Sequence, residues 1–234
     1  MADAGQSRQM TKLNAKAVAS LLILFVVIAG LIFTSAGTLH YWQGWTFLLV
    51  YFMASLAITL DLMWRDPALL ARRMSGGPWA EREPTQRRIM VITSVGFIAL
   101  IVIPGLDRRF GWSDVPSLVA LGGDVLILLG FVGIRRVFTE NSYTSATIEL
   151  ASDQRVISSG PYAVVRHPMY AAALLMLSGF PIALGSRWAL LVIAVILPAL
   201  IWRLLDEERF LAKNLRGYRE YQDKVRYRLL PSVW

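Results

Sequence analysis

Apolar positions dominate six stretches of the chain. They lie at 17–33, 41–60, 89–106, 115–134, 168–186 and 188–205, and each is almost free of charge. Runs of about 17–20 residues suit helices that cross about 30 Å of hydrocarbon at 1.5 Å per residue. The pattern predicts an all-α, polytopic integral membrane protein with six transmembrane helices. Polar residues collect in two sizeable stretches, 65–88 and 135–166, and in a tail from 206 to 234. Gly185-Ser186-Arg187 is too short a gap for anything but a tight helical hairpin at the C-terminal end. The residues just before the fifth window and just after the sixth then return to the same membrane face. Segments 160–170 and 203–208 can build one site despite the chain between them.

Composition strengthens this picture. The 234 residues are 56% hydrophobic and 17% charged, with mean hydropathy +0.50, which fits neither a disordered chain nor an ordinary water-soluble domain. No separate soluble catalytic domain fits beside the six windows, so any chemistry sits on the helices and the segments between them. The chain has no cysteine, which excludes disulfides, thiolate metal sites and cysteine nucleophiles. Window 17–33 reads as a retained span rather than a signal peptide.

The net charge of +8 raises the question of nucleic acid, and its distribution answers it. With the N-terminus inside, 21 of the 24 Lys and Arg residues fall on the cytoplasmic side, Arg82 among them, and only Arg108, Arg109 and Arg187 fall outside. This positive-inside pattern places both termini in the cytoplasm, with the protein in the cell inner membrane. Orientation and anionic membrane lipids explain the basic surface, with no nucleic acid required. Stretch 65–88 carries Pro67, Gly76, Gly77, Pro78 and Pro84, and reads as a connection with a short amphipathic piece, 68–74, anchored on the membrane surface.

Two clusters carry chemistry. In Gly160-Pro161-Tyr162 through Arg166-His167-Pro168-Met169-Tyr170, Pro168 suits the first position of a helix. The N–H groups of Met169, Tyr170 and Ala171 would then be open donors for an anion. The bland alternative is a membrane helix that starts at headgroup level. In Arg203 through Glu208, Arg203 and Glu207 share a helix face four residues apart, whereas Glu207 and Glu208 point about 100° from each other. The bland alternative here is an i,i+4 salt bridge on a helix end near water. The hairpin sets the two clusters side by side.

Gly160-x-Tyr162, Arg166-His167-Pro168-Met169-Tyr170, Glu207-Glu208, Tyr218-x-x-Tyr221 and Leu230-Pro231 together resemble the isoprenylcysteine carboxyl methyltransferase family, and more distantly the membrane phospholipid N-methyltransferases. The resemblance covers 139–234, leaving 1–138 as an N-terminal region of four helices with the loop 65–88. It implies an S-adenosylmethionine-dependent methyltransferase with a cytoplasmic cofactor pocket over the membrane helices. By position in the motif, Gln154, Arg155, Val156 and Ile157 would line the cofactor. Tyr162, His167, Pro168, Met169 and Tyr170 would enclose it, and Glu207 or Glu208 would bind it from the other side. The family often has a longer run of glutamates than Asp206-Glu207-Glu208, so the choice between the two stays open. Arg203 matches an arginine placed to meet a substrate carboxylate, and with Glu207 it would form the catalytic pair.

The implied acceptor is lipophilic or small: a carboxylate, a phospholipid amine or a small thiol. A metal enzyme has little support, because His40 and His167 are the only histidines and fall on opposite sides. No Gly-x-Ser-x-Gly elbow marks a hydrolase. A transporter or membrane binding protein would need polar groups at mid-membrane, where Asp124 stands alone. A sterol-reductase-like enzyme using NADPH is a rival on the Arg-His-Pro motif, although such proteins generally have more than six spans.

Overall fold

The computed structural model describes residues 2–77, 79, 81, 83–144 and 154–234, with only the backbone given for 2–7. Pro78, Arg82 and part of the C-terminal region, 145–153, lie outside the described residues. Among those described, the chain forms eight α-helices: α1 (Ala2–Ala36), α2 (Trp42–Arg65), α3 (Pro67–Met74), α4 (Pro84–Phe110), α5 (Ser117–Glu140), α6 (Pro168–Ala183), α7 (Leu190–Asn214) and α8 (Tyr218–Lys224). A 3-10 turn, Gly160–Ala163, precedes α6.

Four of the helices, α1, α2, α4 and α5, are long and apolar enough to cross a membrane. Their side chains explain why lipid suits them. Leu22, Val26, Leu49, Val95 and Leu118 all point outward and are exposed, a surface that water would not tolerate over such a length. The last two windows fold differently from the expected pair of full spans. α6 has 16 residues, about 24 Å of helix, which falls short of the hydrocarbon thickness. Residues 184–186 of its window are spent on the turn. α7 is 25 residues long, but Arg203, Asp206 and Glu207 make its second half polar.

Small residues decide how closely the helices approach. A Cβ at Gly123 of α5 would lie 2.2 Å from the Ala183 backbone nitrogen, and one at Gly130 would lie 2.8 Å from the Met176 backbone. A Cβ at Gly179 of α6 would in turn lie 2.7 Å from the Gly123 carbonyl oxygen. Such contacts, backbone against backbone, are how helices gain packing energy in lipid, where no hydrophobic effect drives them together. α7 turns instead to α4, where Gly96 receives Ile196. The aromatic centre is Phe47, Tyr51, Phe97, Phe131 and Phe180, with Phe47 and Phe180 edge to face at 4.8 Å.

The hairpin turn between α6 and α7 is held from several sides. Gly185 adopts φ +68°, which a side chain would resist. The Tyr41 hydroxyl donates to the Leu184 carbonyl. Asp107, buried at the end of α4, accepts from Ser186 and from both the backbone N–H and the hydroxyl of Ser113, each at 2.7 Å. From this pinned turn, α6 leans on α5 and α7 on α4. At the opposite end, residues of both arms line a common cavity.

Candidate active site

Residues of α6 and α7 wall a cavity of about 450 Å³, within the usual size range of small-molecule sites. One end is polar, with Gln154, Arg155, Asn141, Tyr162, His167, Glu207, Tyr218 and Tyr221. The other runs among the helices past Met90, Thr93, Ile134, Ala173, Met176 and Leu200. Of the twelve residues expected from the sequence to bind cofactor or acceptor, eleven line this one cavity: Gln154, Arg155, Val156, Ile157, Tyr162, His167, Pro168, Met169, Tyr170, Arg203 and Glu207. Glu208 does not line it.

The walls follow from local sequence. Pro168 opens α6 at its first turn and His167 stands at the cap. The open donors there are Met169 and Tyr170; Ala171, expected to be a third, already bonds the His167 carbonyl at 3.2 Å. His167 and Arg166 are not near water as a helix end at the interface would suggest. Both are buried, because the tail folds back over them: the Arg166 and His167 N–H groups bond the Tyr227 and Arg228 carbonyls, each at 2.9 Å. On α8, Tyr218 and Tyr221 share a face. The Tyr221 hydroxyl donates to the Tyr162 carbonyl at 2.7 Å, and Asn141 donates to the Tyr162 hydroxyl at 2.9 Å. Burial pushes the Tyr162 phenol up to about 12 and the Tyr218 and Tyr221 phenols well above their ordinary value. All three are neutral at physiological pH.

The consecutive glutamates take opposite sides. Glu207 turns to the cavity and accepts from the Tyr170 hydroxyl at 2.7 Å. Glu208 turns away and is 5% exposed. It meets Arg166 at 2.8 Å, Arg228 at 2.9 Å and His167 Nε2 at 3.3 Å. Burial alone would raise its carboxyl, but the hydrogen bonds from His167 and Arg228 and the His167 and Arg166 charges prevail and lower it from its ordinary value. Glu208 thus ties the start of α6, the end of α7 and the tail into one knot.

Arg203 lines the cavity, and within the protein it pairs with Glu81 at 2.6 Å and donates to Gln86 at 2.9 Å. Gln86 in turn donates to Asp206 at 2.8 Å. Both partners come from the connection and first turn leading into α4, so stretch 65–88 does more than anchor. Its amphipathic piece is α3, which buries Leu69 and Leu70 against Leu62, Met63 and Phe138. Glu81 carries no motif and no periodic position, which is why sequence reasoning passes over it. Asn141, Tyr143, Thr144 and Arg73 also line the cavity unannounced.

Residues 118–217 match the phospholipid methyltransferase family. The match takes in α5, the 3-10 turn, α6 and α7, and it ends just before α8. It begins earlier than the motif resemblance and supports a membrane methyltransferase in general, not the isoprenylcysteine carboxyl branch in particular. No match is found among curated proteins. Among the described residues, no group of three or more His, Asp or Glu side chains could hold a metal ion.

Proposed function

We propose that the chain is an S-adenosylmethionine-dependent methyltransferase that acts on a lipid-borne acceptor at the cytoplasmic face of the membrane. One observation carries the reading: a single cavity joins a polar end built from Glu207, Tyr162 and the α6 start to an apolar end among the helices. The donor set suits the cofactor. Glu207 can accept from its ammonium or ribose hydroxyls, and the open Met169 and Tyr170 N–H groups can receive its carboxylate. Bound there, it supplies an electrophilic methyl group. The protein's part is to align the acceptor and exclude water. Gln154, Arg155, Val156, Ile157, His167 and Pro168 wall the cofactor side. Ala173, Met176, Met90 and Leu200 receive the acyl or prenyl part of an acceptor arriving from the bilayer. Six crossings with both termini inside remain the topology that fits the charge distribution, α6 and α7 forming the last hairpin.

Two acceptor chemistries have specific support. Arg203 on the cavity wall suits a carboxylate, as in isoprenylcysteine carboxyl methylation, with Arg203 and Glu207 as the reacting-side pair. The family match favours a phospholipid amine, and the Glu81–Arg203 pair supports it, since the arginine's charge is already balanced. Methyl transfer from labelled S-adenosylmethionine to phosphatidylethanolamine vesicles and to a prenylcysteine separates them. Label in the phospholipid supports the amine reading and label in the prenylcysteine the carboxyl reading. Label in neither, with the cofactor bound, contradicts a lipid acceptor of either kind.

A further inference from the structure

Glu81 lies outside every motif that points to methyl transfer. It sits on the connection between α3 and α4, is 3% exposed, and pairs with Arg203 at 2.6 Å. Arg203 has a second carboxylate within reach. Glu207 is four residues further along α7, the spacing at which Arg and Glu on one helix face pair. The Tyr170 hydroxyl interacts with both of them, so little more than one phenol stands between the two charges. In a poorly hydrated site a cation stripped of its partner is costly, and the nearest carboxylate relieves it.

We propose that Glu81 is a positioning residue: holding Arg203 from the α4 side, it keeps Glu207 available to the ligand in the cavity. This rests on the reading that the cavity binds S-adenosylmethionine. Without Glu81, Arg203 swings onto Glu207, neutralises it and removes the acceptor that the cofactor needs. Gln86 assists by fixing the guanidinium plane while its own amide is held by Asp206. The connection before α4 is therefore part of the binding site, although it touches the ligand only through Arg203.

The test is a calorimetric titration of S-adenosylhomocysteine into wild type, Glu81→Gln and the double variant Glu81→Gln/Arg203→Gln, all in detergent. Glu81→Gln is expected to bind about tenfold more weakly or worse. The double variant, with no cation left to capture Glu207, is expected to return to within about threefold of wild type, although its turnover stays low. A double variant as weak as the single one would mean that Glu81 does not act through Arg203, and that result overturns the proposal. Unchanged affinity in Glu81→Gln overturns it too. Should Glu81→Gln fail to fold, the double variant decides alone, since it removes both buried charges: wild-type affinity supports the proposal and lost affinity contradicts it. A wild-type protein that binds no S-adenosylhomocysteine contradicts the methyltransferase reading itself.

Discussion

Glu207 and Glu208 are neighbours in sequence and opposites in environment. The 100° step between adjacent helical residues aims one at the cavity and the other at Arg166, His167 and Arg228. Their substitutions should therefore fail differently. Glu208→Gln leaves buried cations without their carboxylate, and a loss of about 3 kcal/mol is expected. Its carboxyl is held below its ordinary 4.5, so its contribution to stability is complete above that pH and is lost as the pH falls below it. Melting temperatures followed from about pH 7 down to about pH 3 should show an acid-side decline in wild type that is smaller in Glu208→Gln. Tyr170→Phe removes one hydrogen bond to the Glu207 carboxylate, and S-adenosylhomocysteine should bind about tenfold more weakly with little change in melting temperature. Equal affinity in that variant would take Tyr170 out of the site. Pro168, His167 and Tyr162 were legible in the sequence because turn and helix-start chemistry is local. Glu81 was not, because a buried ion pair between distant segments leaves no local trace.

α5 and α6 both contribute to the cavity wall, and the glycines of their seam permit a direct test. Gly122 and Gly123 are adjacent, yet a Cβ at Gly122 meets nothing within 4 Å while one at Gly123 meets the Ala183 backbone at 2.2 Å. Gly123→Ala should cost about 1–3 kcal/mol through overpacking that backbone cannot relieve. Gly122→Ala should be neutral or stabilising by up to about 1 kcal/mol, the ordinary gain of alanine over glycine in a helix. Thermal unfolding of the two variants in the same detergent checks this, and equal melting temperatures would mean that the seam is looser than described. The sequence shows the windows that become these helices, but not which face of α5 meets α6. That depends on Gly123, Gly130 and Gly179 meeting across two helices. The same limit applies to the hairpin: the short turn at 185–187 was readable, whereas the separate partners of its arms, α5 for α6 and α4 for α7, were not.

At the scale of the molecule, hydropathy alone accounts for the four long helices, because a run of apolar residues needs no partner to declare itself. The last two windows were harder to read. α6 stops at Ala183 and α7 turns polar at Arg203, so apolar length gives way to the polar lining of the cavity at one end of the hairpin. The charge distribution still predicts that Lys16, the loop at 65–88 and the C-terminal tail share one side, and Gly111 the other. Reporter fusions after Lys16, at Gly111 and at the C-terminus test this, and an extracytoplasmic tail would contradict both the topology and the position of the cavity. S-adenosylmethionine use is tested most directly by ligand-dependent stabilisation of the purified protein. Saturating S-adenosylhomocysteine should raise the melting temperature of wild type, by an amount set by concentration over affinity, but not that of Glu207→Gln, while NADPH does neither. Stabilisation by NADPH, or none by S-adenosylhomocysteine in a folded wild-type protein, would contradict it.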